Sequence, residues 1–168
     1  MIMPNGNSKA EKEVQFPECH FELPSEICVQ LQGNVKAALY EVGGKDPVNI
    51  IQSDQDAEVR VEIEFGGRLA RLFCLTWCVC VAFESCGSGS ENEICKEDIK
   101  WDPCKEEKTV VTIRIPAGTL EPKKCGGVYC LCVTVTAKDQ CGYPAPIAAM
   151  CKGACIMVYK TPPDDIQR

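Results

Sequence analysis

The sequence predicts an all-β fold: an antiparallel β-sandwich of jelly-roll or immunoglobulin-like type, disulfide-rich, with an extended N-terminal arm. Three observations carry that expectation. Apolar and polar residues alternate at period two along most of the chain after residue 25, which is the signature of half-buried strands. Turn-forming Gly, Pro, Asn and Asp interrupt these runs about every eight to twelve residues. No segment sustains the 3.6-residue period of an amphipathic helix, so helical layers are not expected. The division expected is an arm over 1–24, a sandwich over 25–160 and an exposed tail over 161–168.

In the arm, Asn5, Gly6, Asn7 and Ser8 form turns, and Pro17 and Pro24 forbid regular helix. Val14 and Phe16 share one face, as do Cys19, Phe21 and Leu23, with His20 and Glu22 opposite. Such a segment serves as the first strand of its own sandwich, or as a strand donated to a neighbouring subunit's sheet edge. Residues 27–31 and 35–42 read as two strands separated by a turn at Gln32, Gly33 and Asn34, and Gly43, Gly44, Asp46 and Pro47 close the second. The cleanest strand follows: Val59, Val61, Ile63 and Phe65 point one way, Glu58, Arg60, Glu62 and Glu64 the other, so one face is buried and one wet.

Residues 72–84 read as a central strand, with Leu75, Trp77, Val79, Val81 and Phe83 on one face and Cys74, Thr76, Cys78, Cys80 and Ala82 on the other. Residues 85–90 read as a loop, and the polar stretch to Asp102 and Pro103 as irregular. Val111, Ile113 and Ile115 mark another strand. Residues 128–137 repeat the central pattern, with Tyr129, Leu131, Val133, Val135 and Ala137 opposed to Cys130, Cys132, Thr134 and Thr136. A turn at Gly142, Tyr143 and Pro144 and a short segment over 147–150 precede a last strand over 155–160.

A chain of 168 residues buries a core without cross-links to help it. Fourteen cysteines are therefore more than folding requires, and their even number allows all to pair. A net charge of −6 repels phosphate backbones and excludes a basic nucleic-acid surface. The longest apolar run, residues 72–83, is broken by three cysteines and a threonine and falls short of the roughly twenty residues of a membrane span. The opening MIMPNGNSKAEKEV lacks the basic and apolar regions of a secretory signal, whereas the cysteine density points to an oxidising compartment. The cysteines carry more weight, and an extracellular or cell-surface location is expected.

The cysteines are the chemical content. Disulfides are expected among Cys74, Cys78, Cys80, Cys86, Cys95, Cys104, Cys125, Cys130, Cys132, Cys141, Cys151 and Cys155. The two CxC pairs, Cys78 with Cys80 and Cys130 with Cys132, hold their sulfurs on one strand face roughly 7 Å apart, too far to bond within the pair. Cross-strand or inter-sheet bonds between the two pairs are the favoured arrangement. Cys86 and Cys95 bracket a Gly/Ser loop and are expected to clip it shut. Cys19 and Cys28 anchor the arm if bonded to each other, or make an assembly covalent if bonded to other subunits. Fourteen thiols allow on the order of 10⁵ pairings, so connectivity is not legible. A metal reading rests on Cys74, Cys78 and Cys80 and on Cys151 and Cys155 as clustered soft thiolates; the absence of CxxC and of a second histidine weighs against it.

Catalytic constellations are not evident. His20 is the only histidine, so no Ser-His-Asp or Cys-His system is expected. Asp54, Gln55 and Asp56 resemble the opening of a calcium loop without its glycine or final glutamate. Glu91, Glu93, Glu97 and Asp98 form an acidic stretch without an aromatic platform. The expected function is that of a non-enzymatic structural subunit of an extracellular or surface assembly, a filament, appendage or coat. It would have no cofactor, and would partner itself through disulfides and N-terminal strand exchange. A secreted carbohydrate- or protein-binding module, with its ligand near Trp101, Tyr143 or residues 91–98, is the alternative; a thiolate metal-binding protein is the third reading.

Overall fold

The computed structural model describes residues 19–25, 31–87, 91–102, 108–122 and 126–160. The expectations placed on Val14, Phe16, Cys28, Cys104 and Cys125 lie outside these residues. Among these residues nine strands follow one another: β1 (Cys19–His20), β2 (Gln32–Glu41), β3 (Ile50–Gln52), β4 (Ala57–Gly66), β5 (Thr76–Ser85), β6 (Asn92–Lys100), β7 (Lys108–Ile115), β8 (Gly127–Lys138) and β9 (Pro144–Tyr159). A short 3-10 turn, Ala70–Leu72, joins β4 to β5. The strands form a four-stranded sheet ordered β1-β2-β4-β7 and a five-stranded sheet ordered β3-β9-β8-β5-β6.

This order follows the immunoglobulin-like alternative. Strands β2, β4 and β7 stand where that fold has its first, second and fifth strands, and β5, β8 and β9 where it has its third and last two. Two further features agree. Trp77 on β5 is fully buried, and the Tyr129 hydroxyl near the start of β8 donates to the Glu121 carbonyl at 2.8 Å, as a tyrosine corner does. One expectation is corrected: pairing is not wholly antiparallel, because β3 runs parallel to β9 through Ile50–Met157, Ile51–Val158 and Gln52–Tyr159.

Period-two patterning decides which side chains meet between the sheets. Val59, Val61, Ile63 and Phe65 of β4 face Trp77, Val79, Val81 and Phe83 of β5 and Tyr129, Leu131, Val133 and Val135 of β8 in one buried cluster. At about 25 cal/mol per Å² of apolar area, this cluster is the main source of stability, and it contains few of the cysteines.

The arm segment belongs to this sandwich. Cys19 and His20 pair with Val35 and Asn34 of β2, and Glu22 then bridges Ala148 of β9, so the segment crosses the open edge from one sheet to the other. Phe21 enters the gap and lies 5.5 Å from Phe65 and 5.4 Å from Trp77, ring centre to ring centre. Gly33 makes that possible, since a Cβ there would stand 2.7 Å from the Phe21 ring and 2.6 Å from the Glu64 carbonyl oxygen. The turn expected at residues 32–34 is thus corrected to strand: the glycine answers to a close approach of Phe21 and not to a reversal.

Two more corrections share one cause, the β-bulge. Residues 92–100 form strand β6 and not an irregular stretch. Trp77 pairs with Ile99 and Val79 with Lys96, so Glu97 and Asp98 together oppose Cys78, with Asp98 at φ 57°. The inward isoleucines, Ile94 and Ile99, are therefore an odd number of positions apart, and the alternation disappears from the sequence. Likewise the segment over 147–150 and the last strand are one sixteen-residue strand, β9, bulged opposite Leu131.

Candidate functional site

On the five-stranded sheet, the residues left over by core packing face outward, and they are rich in sulfur. Trp77, Val79, Val81 and Phe83 point inward, so Cys78 and Cys80 point outward from β5. By the same parity Cys130 and Cys132 point outward from β8. Cys80 is directly opposite Cys95 of β6 and is bonded to it. Cys130 is directly opposite Cys155 of β9. Sulfur thus runs obliquely across the sheet from Cys95 through Cys80, Cys132 and Cys130 to Cys155.

The end of this band is a three-thiol cluster. The Cys130 sulfur lies 3.2 Å from that of Cys86 and 3.8 Å from that of Cys155, and all three sulfurs fall within 4.8 Å of one another. Each is held by sheet hydrogen bonding. Cys86 extends β5 by donating its backbone N–H to the Val128 carbonyl at 2.8 Å, which sets its side chain on the same face as Cys130. Cys155 reaches that face only because of the bulge in β9. Cys130 pairs with Cys155 but Cys132 with Lys152, so Gly153 and Ala154 together oppose Leu131 and the parity of the strand inverts. Cys151 before the bulge is buried and Cys155 after it is exposed. A Cβ on Gly153 would stand 3.2 Å from the Leu131 side chain, which fits the bulge to glycine.

The inward cysteine has a different use. Cys151 is bonded to Cys19, with Cα atoms 5.3 Å apart, so the bond ties the arm on the four-stranded sheet to β9 on the other. Among the described residues it is the disulfide that joins the two sheets. Cys19 therefore anchors the arm through Cys151 and not through the expected Cys28.

Other expected pairings are corrected as well. Strands β5 and β8 are neighbours, but Cys78 lies opposite Thr136, Cys80 opposite Thr134, Cys132 opposite Ala82 and Cys130 opposite Glu84. The two CxC pairs are thus staggered, and no bond joins them. The reason is register, which the inner side chains set. Cys95 closes on Cys80 and not on Cys86, because a hairpin pairs residues across its ladder and not at the rim of its loop. Among the described residues Cys74, Cys78, Cys86, Cys130, Cys132, Cys141 and Cys155 are thiols. Of these, Cys74 precedes β5 and Cys141 sits in the turn after β8, where Asp139 accepts from the Cys141 and Tyr143 N–H groups at 2.8 and 2.9 Å.

Cys130, Cys132 and Cys155 are each raised above the ordinary thiol value. The hydrogen bond shared with Cys86 is the largest influence raising the Cys130 thiol above its ordinary value, and the one shared with Cys130 is the largest raising Cys155. Burial pushes the Cys132 thiol up, with Glu84 adding to it. A reactive cysteine needs the reverse, an electropositive setting that favours thiolate. His20 is exposed on β1 and lies away from the cluster by strand order.

The remaining sequence candidates separate. Trp101 is 6% exposed and packs 5.4 Å from Phe65, so the ligand position expected beside it is corrected to core. Tyr143 is 69% exposed. Asp56 accepts from Arg114 and from the Ala117 N–H, an anchor between β4 and the end of β7 in place of the opening of a calcium loop. Glu93 lies beside Cys80 and Cys95, whose sulfurs are bonded to each other.

Sequence reasoning placed Cys78 with Cys80 and Cys130 with Cys132 on the strand faces opposite the apolar residues and missed the cluster. Its one local signal was Gly153 inside a strand pattern, which marks a bulge; nothing local marked Cys86 as the partner of Cys130. No protein-family model matches the chain, and no curated protein matches it in sequence.

Proposed function

We propose that this protein is a non-enzymatic structural subunit of an extracellular or surface assembly, hardened by its internal disulfides and joined to neighbours through surface thiols. The supporting observation is the presence of exposed thiols at both ends of the five-stranded sheet. Cys74 and Cys141 flank the end where Thr76 pairs with Lys138. Cys86 and Cys155, with half-buried Cys130, lie toward the other. The ten residues of β5 separate the two ends by about 33 Å at the usual rise per residue. A unit with different reactive ends joins head to tail, which gives an open filament unless the rotation closes a ring.

The core is complete without these sulfurs, so durability is what they add. Each intersubunit bond removes two protons and two electrons from a pair of thiols, and an oxidant such as dioxygen takes them up. Residues 19–23 are seated in their own sandwich, so the reading rests on sulfur and does not need strand exchange. Disulfides of this kind persist in non-reducing surroundings.

The test is a non-reducing gel with electron microscopy on the oxidised full chain. The expected result is a ladder of covalent multimers that collapses to monomer on reduction and shortens in Cys74→Ser/Cys141→Ser. A single monomeric species after oxidation, with Cys74 and Cys141 unbridged by mass spectrometry, overturns the proposal.

A further inference from the structure

We propose that Cys86, Cys130 and Cys155 form a binding site for one thiophilic d¹⁰ cation, Cu(I) or Zn(II). Three sulfurs cannot all be satisfied by disulfides among themselves: one bond uses two and leaves the third in contact with them. A metal ion uses all three. Zinc–sulfur bonds of about 2.3 Å in tetrahedral geometry place thiolates about 3.8 Å apart, and Cys130 and Cys155 are 3.8 Å apart. Cys86, at 3.2 Å from Cys130, needs only a small outward side-chain rotation, and its exposure leaves room for it.

The ligands are also preorganised. Cys130 and Cys155 are a directly opposed cross-strand pair, and Cys86 is tied to the same ladder by its bond to Val128. Three facial thiolates leave one side of the ion open, which suits trigonal Cu(I) directly and Zn(II) with a water as fourth ligand. Soft sulfur donors without imidazole select against magnesium and calcium. Glu84, opposite Cys130 in the ladder, adds negative charge beside the ion. Loading releases the three S–H protons to solvent, so affinity falls as the solution is acidified.

The site lies within one subunit, so the inference does not rest on the assembly reading and is tested on the unjoined, reduced chain. An ion here would occupy the sulfurs that cross-linking at this end of the sheet requires.

The test uses the mildly reduced full chain under anaerobic conditions, titrated with Cd²⁺ as a spectroscopic d¹⁰ probe and then with Zn²⁺ in competition. One equivalent should bind with a thiolate-to-metal charge-transfer band that Zn²⁺ displaces. The exposed-site variants Cys86→Ser and Cys155→Ser should each lose the band while keeping the wild-type circular dichroism. Cys74→Ser/Cys141→Ser should retain it. In parallel, bound metal should protect Cys86, Cys130 and Cys155 from alkylation and leave Cys74 and Cys141 reactive. Unchanged binding in the Cys86 and Cys155 variants, or equal alkylation of all five residues with metal present, overturns the site.

Discussion

The outer faces of the two sheets cover the same core with opposite chemistry. On the four-stranded sheet the outward residues are charged: Glu58 and Arg60 pair within β4, Lys108 of β7 reaches Glu62 at 2.5 Å, and the Arg60 guanidinium lies 4.1 Å over the Tyr40 ring. On the five-stranded sheet the corresponding positions carry Cys78, Cys80, Cys130, Cys132 and Cys155 with Thr134 and Thr136, among a few charges such as Glu84, Lys138 and Lys152. Core burial dictates the inner positions of every strand and leaves the outer ones to solubility or to function. Charge pairs in water contribute little and are screened by salt. Sulfur on a sheet face contributes through covalent or coordinate bonds, which salt does not weaken.

The largest effect that can break this contrast lies in the covalent bonds. Replacing Cys19 and Cys151, 132 residues apart in sequence, should lower unfolding free energy by about 5 kcal/mol in the chain-entropy model. Replacing Cys80 and Cys95, 15 apart, should cost about 3 kcal/mol on the same basis. Urea unfolding of the two double variants measures both, and equal losses would show that loop length is not what these bonds act through.

Gly153→Ala sharpens the comparison at intermediate cost. Its Cβ meets Leu131, and overpacking of this kind costs about 1–3 kcal/mol. The bulge should shift, and Cys155 should change its alkylation rate relative to Cys74. A variant of wild-type stability and reactivity would mean that the bulge does not depend on glycine.

The smallest effect belongs to the charged face. Lys108→Ala should cost under about 1 kcal/mol and nothing measurable in molar salt. A larger, salt-independent loss would remove the distinction between the faces.

Much of the core was legible because alternation is local. Trp77, Val79 and Val81, or Val59, Val61 and Ile63, announce an inward face from their own neighbours. Strand β6 was not legible, because Glu97 and Asp98 bulge against Cys78 and place Ile94 and Ile99 out of phase. The docking of Phe21 was half visible: its face could be read, but its seat over Gly33 could not, since the two lie on separate segments and a glycine looks the same in a turn as under a ring.

By itself, then, the sequence determined which side of each regular strand is apolar, that sulfur exceeds what folding needs, and that helices are not the building units. Only the tertiary structure decided that Cys151 turns inward to Cys19 while Cys155 turns outward to Cys130 and Cys86. Their spacing is even and predicts one shared face; a single extra residue in the ladder reverses it. Facing is a property of a strand alone, whereas partnership depends on register between strands distant in the chain, and register is set by how the whole core packs.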